Sequence, residues 1–405
     1  MQPVLFVTAA RFFGGAERSL VELLAALREP ESGVSARLLL ALPEEADARL
    51  SAAARAAGAE LFPLPFPAIR RPRSPPAFLA LALRLRRAQG ALAALAKRER
   101  VGLLHANGDT AQLLAGPAAR RAGRRPLPAV WHCRDLLAHG VFLRRRLTGS
   151  AAAVVAISRA VAEHLARCGV GPGKLRVITN GIDLAPFAAL PQERARLRAE
   201  VRREFGFPAE CPLLVAAGAF VRWKRHEDFL RLVARLRRDR PAVRGLLCGA
   251  APGASAAERA YAAELAALAG DAAGGAGGEV RLAGWRDDLP RLLAAADLFV
   301  STSRAEPFGR VLVEALAAGV PVLATASGGK GEIVADGLTG RLVPDEDPEA
   351  LAAAAEELLA DGERARRRGE AGRARAAEAF DVRRVAREVA ALWEELLSSA
   401  RGHAP

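Results

Sequence analysis

Lysine is scarce in this chain: Lys97, Lys174, Lys224 and Lys330 are the only ones, and arginine carries nearly all the positive charge. Compositional drift explains such a bias without function, and it makes a lysine inside a motif harder to dismiss as filler. Cysteine is sparse too. Cys133, Cys168, Cys211 and Cys248 lie far apart and form no C-x-x-C pair. That argues against a disulfide framework or a zinc site and fits reduced thiols in a cytosolic setting. No apolar run approaches the ~20 residues of a membrane span. The opening Met1-Gln2-Pro3-Val4-Leu5-Phe6-Val7-Thr8 lacks a basic segment and a long apolar stretch, so it reads as a first strand and not a signal peptide. The expected protein is cytoplasmic, either soluble or peripheral on the inner face of the membrane. Zinc-finger, RNP-type and bZIP patterns are also missing. Nucleic acid is therefore not an expected partner, although the formal net charge is +14.

What is present is alternation. Short apolar runs at Val4–Val7, Ala36–Leu42, Val101–His105, Ala129–His132, Val154–Ile157 and Leu175–Ile178 are separated by helical Ala/Leu/Arg patterns. A charged helical stretch bracketed by Pro186, Pro191, Pro208 and Pro212 interrupts them and is the candidate connection. The alternation resumes at Leu213–Ala217, Gly245–Leu247, Val280–Leu282, Leu298–Ser301 and Val320–Ala324. This predicts an α/β protein with two doubly wound parallel sheets. Its expected parts are a first Rossmann-like domain over 1–185, a linker over 186–204, a second Rossmann-like domain over 205–378 and a terminal segment over 379–405 with an amphipathic helix carrying Trp393. In open α/β sheets ligands sit outside the carboxyl ends of the strands, so the expected ligand site is a cleft that both domains face. Gly270–Gly278 reads as a flexible connector.

The richest stretch is Ser301 to Val343. A strand is followed by a loop with Glu306, then Phe308 and Gly309, then a helix carrying Glu314; Gly319-Val320-Pro321-Val322 and Gly328-Gly329-Lys330-Gly331-Glu332 come after it. Gly309 lets a ligand approach the backbone, and the free N–H groups of a helix start suit an anion. Two carboxylates beside such a helix start suit sugar and ribose hydroxyls. A second cluster, Gly218 to His226, holds Arg222 and Lys224 after a strand, where cations can neutralise a diphosphate. A third, Gly14-Gly15-Ala16-Glu17, opens the first helix, and it is not a dinucleotide fingerprint.

Together these stretches resemble the GT-B retaining glycosyltransferases, family 4 type, over essentially the whole length. The resemblance implies two Rossmann-like domains, a C-terminal helix over 379–405 that crosses back to the first domain, a nucleotide-diphospho-sugar donor and transfer of a hexosyl unit with retention. The implied acceptor is a glycan, a lipid-linked molecule or a small molecule. It implies no cofactor and no essential metal. Glu306, Lys224 and His132 become the expected catalytic residues; Gly14, Gly15, Arg222, Gly284, Phe308, Gly309 and Glu314 become the expected donor-binding residues. His105, Asn107 and Ser158 are weaker candidates, and a helix cap accounts for Ser158. Asn180-Gly181-Ile182-Asp183 matches a family turn with a structural role. The family arginine after Gly218 is replaced by Ala219, and Arg222 is the candidate to supply its charge. Two features need another account. Asp345-Glu346-Asp347 has a metal-binding form but precedes Pro348 and a helix, so capping explains it. The basic groups Arg70/Arg71/Arg73, Arg84/Arg86/Arg87, Arg120/Arg121/Arg124/Arg125 and Arg144/Arg145/Arg146, the last flanked by Phe142, Leu143 and Leu147, suit contact with an anionic membrane. The competing readings are a nucleotide-sugar epimerase on the same fold and a non-catalytic homologue that binds nucleotide-sugar.

Overall fold

The computed structural model describes residues 2–69, 74–136, 141–249, 255–270 and 279–402. Arg70, Arg71, Arg73 and residues 271–278 of the glycine-rich run lie outside the described residues, as do the side chains of Phe142, Leu143 and Arg144. The chain forms two compact units, Met1–Gly181 with Val382–Pro405, and Ile182–Asp381.

The first unit alternates β1 (Val4–Val7), α1 (Gly15–Arg28), β2 (Leu38–Pro43), α2 (Ala48–Ala56), β3 (Glu60–Leu64), α3 (Pro75–Arg98), β4 (Leu103–Asn107), α4 (Asp109–Ala119), β5 (Ala129–Cys133), α5 (Val141–Ser150), β6 (Ala153–Ala156), α6 (Arg159–Arg167) and β7 (Leu175–Val177). The sheet is parallel, in the order β3-β2-β1-β4-β5-β6-β7. β1 shows why its apolar run is continuous. Val4 and Phe6 face Leu20, Leu24, Leu27 and Trp393, whereas Leu5 and Val7 face Leu92, Leu95 and Leu114. Side chains alternate along a strand, and both faces here are covered by helices.

The second unit begins with α7 (Leu190–Glu204) and continues through β8 (Leu213–Ala217), α8 (His226–Leu236), β9 (Arg244–Cys248), α9 (Ala256–Leu268), β10 (Val280–Gly284), α10 (Leu289–Ala294), β11 (Leu298–Ser301), α11 (Arg310–Ala317), β12 (Val322–Thr325), α12 (Lys330–Ile333), β13 (Gly340–Val343), α13 (Pro348–Ala360) and α14 (Gly362–Ala379). Its parallel sheet runs β10-β9-β8-β11-β12-β13. Residues 186–204, expected as a linker, are mostly the folded helix α7. It is tied down by the buried Arg202, which donates to Asp297, Cys211 O and Ala295 O. The final helix, α15 (Val382–Gly402), belongs to the first unit, where Trp393 is fully buried.

β3 and β13 were not anticipated; both are edge strands, and β3 carries Pro63 and an exposed Glu60. In β3 (Glu60-Leu61-Phe62-Pro63-Leu64) and β13 (Gly340-Arg341-Leu342-Val343) a charged residue and a proline or glycine interrupt the apolar run, an interruption that an edge position tolerates.

Candidate active site

In the second sheet the strand order reverses between β8 and β11, which makes their carboxyl ends the topological switch point. The loops leaving those two strands are stitched together. Thr302 Oγ1 donates to Arg225 O at 2.8 Å, and Arg304 N donates to Trp223 O at 2.7 Å. Arg225 and Ala305 both adopt left-handed backbone, with φ of 51° and 45°. Such strain in residues other than glycine persists only where surrounding bonds over-determine the loop. The result is a largely buried ion pair, Lys224 Nζ to Glu306 Oε2 at 2.5 Å. The ammonium also lies 4.4 Å from the centre of the Trp223 ring.

Gly309 caps α11 with φ +105°, a conformation that favours glycine, and a Cβ there would meet Leu312 at 2.7 Å. Among the described residues the N–H groups of Phe308 and Gly309 have no hydrogen-bond partner, so they remain available to an anion. Phe308 itself is buried, edge-on to Phe380. Glu314 is buried on α11 and accepts from Arg310 Nε at 2.9 Å. The Gly328-Gly329 pair supports the Glu306 loop from beneath: Gly329 N donates to Glu306 O at 2.8 Å, and a Cβ on Gly328 would sit 2.1 Å from that oxygen. Gly284 ends the edge strand β10 with φ +65°.

Arg222 is not brought to this pair. It is exposed, donates to Glu264 at 2.6 Å and stacks over Tyr261. Ser158 caps α6 and Asp347 caps α13, each accepting a backbone N–H. Asp288 is held by Arg286 and Arg291 at the start of α10.

In the first sheet the reversal falls between β1 and β4. Gly14 and Gly15 follow β1 and open α1, with Glu17 reaching back to accept from Gly14 N at 3.2 Å. Burial raises the Glu17 carboxyl above its ordinary range. No atom lies within 4 Å of a Cβ placed on Gly15, so packing does not require that glycine. His132, near the end of β5, is fully enclosed. His105 Nε2 lies 3.0 Å from His132 Nδ1, and Trp393 Nε1 donates to His105 Nδ1 at 3.1 Å. An indole N–H can only donate, so His105 Nδ1 accepts and the His105 proton sits on Nε2. That proton goes to His132 Nδ1, which leaves His132 protonated on Nε2, a buried atom with no partner among the described residues. Burial first, and Arg134 second, push His105 down to about 3 and His132 well below its ordinary value, so both rings are neutral. Arg134 is itself buried and donates to Asn107 at 2.9 Å and to Asn180. Asn180 thus serves a structural role.

Residues 198–375 match the family model described as glycosyl transferases group 1, and residues 13–186 match glycosyltransferase family 4. Over 300 residues, 68% of this chain and 75% of the relative, the sequence is 33% identical to the GDP-mannose-dependent alpha-(1-6)-phosphatidylinositol monomannoside mannosyltransferase of Mycolicibacterium smegmatis. The chain belongs to the family 4 glycosyltransferases of the GT-B fold. It is also 34% identical to the D-inositol 3-phosphate glycosyltransferase of Salinispora tropica, although that match spans only 40% of the relative. Among solved structures, Anabaena HepE in complex with UDP-glucose superposes with a TM-score of 0.78 at 25% identity, covering 98% of this chain and 100% of that one. Sucrose-phosphate synthase from Thermosynechococcus elongatus shares the fold, with a TM-score of 0.77 at 22% identity over 98% of this chain and all of that one.

Three residues of this glycosyltransferase escaped the sequence reading. Lys330 is wholly buried and donates to Ser303 O and to Thr325 Oγ1, pinning the loop that carries Glu306. Burial lowers its ammonium to about 8. Its signal was visible, since lysine is rare here and this one sits inside the richest motif. Arg134 directly follows His132 and could have been weighed with it. The Trp393 contact gave no local signal, because 288 positions separate it from His105.

Proposed function

We propose that this transferase moves a hexosyl unit from a nucleotide-diphospho-sugar to a glycan, lipid-linked or small-molecule acceptor with retention of anomeric configuration. The observation that carries the reading is the Lys224–Glu306 pair at the switch point of the second sheet, beside the unpartnered N–H groups of Phe308 and Gly309. In the proposed reaction the bond from the anomeric carbon to the diphosphate oxygen breaks, with Lys224 and the start of α11 stabilising the negative charge that develops. The acceptor oxygen attacks from the same face, and its proton passes to the departing phosphate oxygen. Glu306 holds sugar hydroxyls and Glu314 holds the nucleotide ribose; His132, expected as catalytic, is assigned no step, because its Nε2 is enclosed within the first unit. Gly284 lets the donor approach the second unit closely. No metal is assigned a role, because Lys224 and the backbone donors supply the positive potential. Arg222 is a weak member of this set, since it is committed to Glu264.

The relatives support a hexose donor without fixing the nucleotide: one is named GDP-mannose-dependent, and HepE was solved with UDP-glucose. No helix among the described residues is long and apolar enough to cross a membrane. Contact with the inner membrane face is supported by the first half of α3, where exposed Phe78, Leu79 and Leu83 adjoin Arg84, Arg86 and Arg87. Retention is tested by proton NMR of the first product formed. The reading expects the anomeric configuration of the donor; the inverted anomer contradicts it. Epimerised sugar formed without acceptor favours the epimerase. Ala219 is the feature that favours a non-catalytic homologue, and tight donor binding with no turnover would support that reading.

A further inference from the structure

From Thr110 to Ala162 the chain holds nine arginines and a single acid, Asp135. The fold gathers four of those arginines around one depression of about 590 Å³, lined by Pro117, Arg120, Arg121, Arg145, Arg146 and Ser150. No carboxylate lines it. Several surface guanidinium groups elsewhere find acids, as Arg196 does with Glu193 and Glu200, and Arg366 with Glu363 and Glu370. Here they do not. Among the described residues the side chains of Arg121, Arg145 and Arg146 make no hydrogen bond or ion pair, and Arg120 donates only to Gly149 O, at 2.6 Å. Like charges packed around a concavity repel one another, and a multivalent anion relieves that repulsion.

The floor of the depression is built and not incidental. α4 and α5 approach so closely at Gly116 that a Cβ there would fall 2.2 Å from Ser150 Oγ. The fully buried Gln112 donates to Ser150 Oγ at 3.0 Å, and Ser150 donates to Leu147 O at 2.9 Å. The two helix ends are thereby fixed, and the arginines project from a rigid base. Location separates this pocket from the candidate active site. Leu127 N bonds Ala119 O and Ala152 N bonds Ala129 O, so the C-terminal ends of α4 and α5 lie where β5 and β6 begin. Gly14, Asn107 and His132 lie at the opposite, carboxyl edge of the same sheet.

We propose that this arginine-walled pocket at the amino edge of the first sheet is a second, non-catalytic site that binds phosphate groups, either several on one soluble ligand or those of an anionic lipid surface. Guanidinium forks match phosphate oxygens two at a time, and the volume suits a diphosphate or a phosphorylated sugar better than a lone small ion. The phosphate comes from a soluble molecule or from a lipid headgroup, and the two sources separate experimentally.

The test is hydrogen exchange with mass spectrometry on the full chain, with millimolar inorganic pyrophosphate or with phosphatidylglycerol vesicles, and phosphatidylcholine vesicles as the uncharged control. Peptides over 116–126 and 145–152 report on this pocket, and peptides from the second unit report separately on the donor site. Pyrophosphate is expected to slow exchange in the first set. In Arg121→Gln/Arg146→Gln its apparent affinity should fall roughly a hundredfold, about tenfold for each charged hydrogen-bonding group removed. The Arg364→Gln/Arg367→Gln pair on α14, with the same loss of charge, should leave it unchanged. Protection by phosphatidylglycerol alone assigns the phosphate to a lipid headgroup. No protection by either probe, equal protection by phosphatidylcholine, or equal weakening in the reference pair overturns the proposal, whatever the second unit shows.

Discussion

Lys224 and Glu306 are 82 positions apart in sequence and form one ion pair. Each was legible alone, because a scarce lysine after a strand and a glutamate before a glycine-capped helix are local patterns. The state of His132 was not legible. It depends on a chain of protons from Trp393 through His105 that only the folded first unit assembles. That chain has a measurable consequence. In the unfolded chain a histidine titrates near 6.5, whereas His105 titrates at about 3 in the fold. Between those values the unfolded state binds the extra proton, so stability falls as pH drops from 6.5. In His105→Gln, which cannot titrate, urea midpoints measured at neutral and mildly acidic pH should differ less than in the unaltered protein. An unchanged difference would mean that the pair does not set the acid sensitivity.

At the scale of elements, runs buried on both faces were readable; of the four edge strands, β7 and β10 were readable and β3 and β13 were not. β1, β8 and β11 announce themselves as apolar runs, whereas β3 and β13 alternate with exposed or charged positions. The prolines that suggested a linker have a different use: Pro191 sits in the first turn of α7, where proline is tolerated because that N–H has no helical partner. The Gly328-Gly329 pair belongs to the richest motif, and its physical reason is contact with the backbone of Glu306. Gly328→Ala should lower unfolding stability by at least about 2 kcal/mol, combining a left-handed φ with a backbone clash. A urea midpoint equal to that of the parent would refute the support role. α3 offers a second test. Its 24 residues span roughly 36 Å against about 17 Å for β4, and its first half is largely unburied. Phe78→Ser/Leu79→Ser should reduce co-sedimentation with phosphatidylglycerol vesicles about tenfold or more, by removing apolar area that insertion would bury. Undiminished binding would exclude this helix as the contact.

On the scale of the whole molecule, the alternation of strands and helices already implied two doubly wound sheets, and both have the expected parallel topology. The return of the terminal helix to the first domain was implied by the family resemblance and not by local pattern, because the docking of Trp393 against Phe6 and His105 is a long-range packing event. The net charge of +14 suggested a general affinity for polyanions. Among the described residues many arginines are ion-paired, while Arg120, Arg121, Arg145 and Arg146 gather around a pocket without carboxylates. The central claim is that the second unit binds a nucleotide-diphospho-sugar through Lys224, Glu306, Glu314 and the start of α11. Thermal unfolding of the parent and of Glu314→Ala, each with UDP-, GDP- and ADP-sugars and with or without EDTA, tests it most directly. At a ligand concentration near a hundred times Kd, binding stabilises the native state by about 2.7 kcal/mol. The account predicts that one nucleotide class raises the parent's Tm, that EDTA does not abolish the shift, and that Glu314→Ala loses most of it. No shift with any donor, or an undiminished shift in Glu314→Ala, would contradict it.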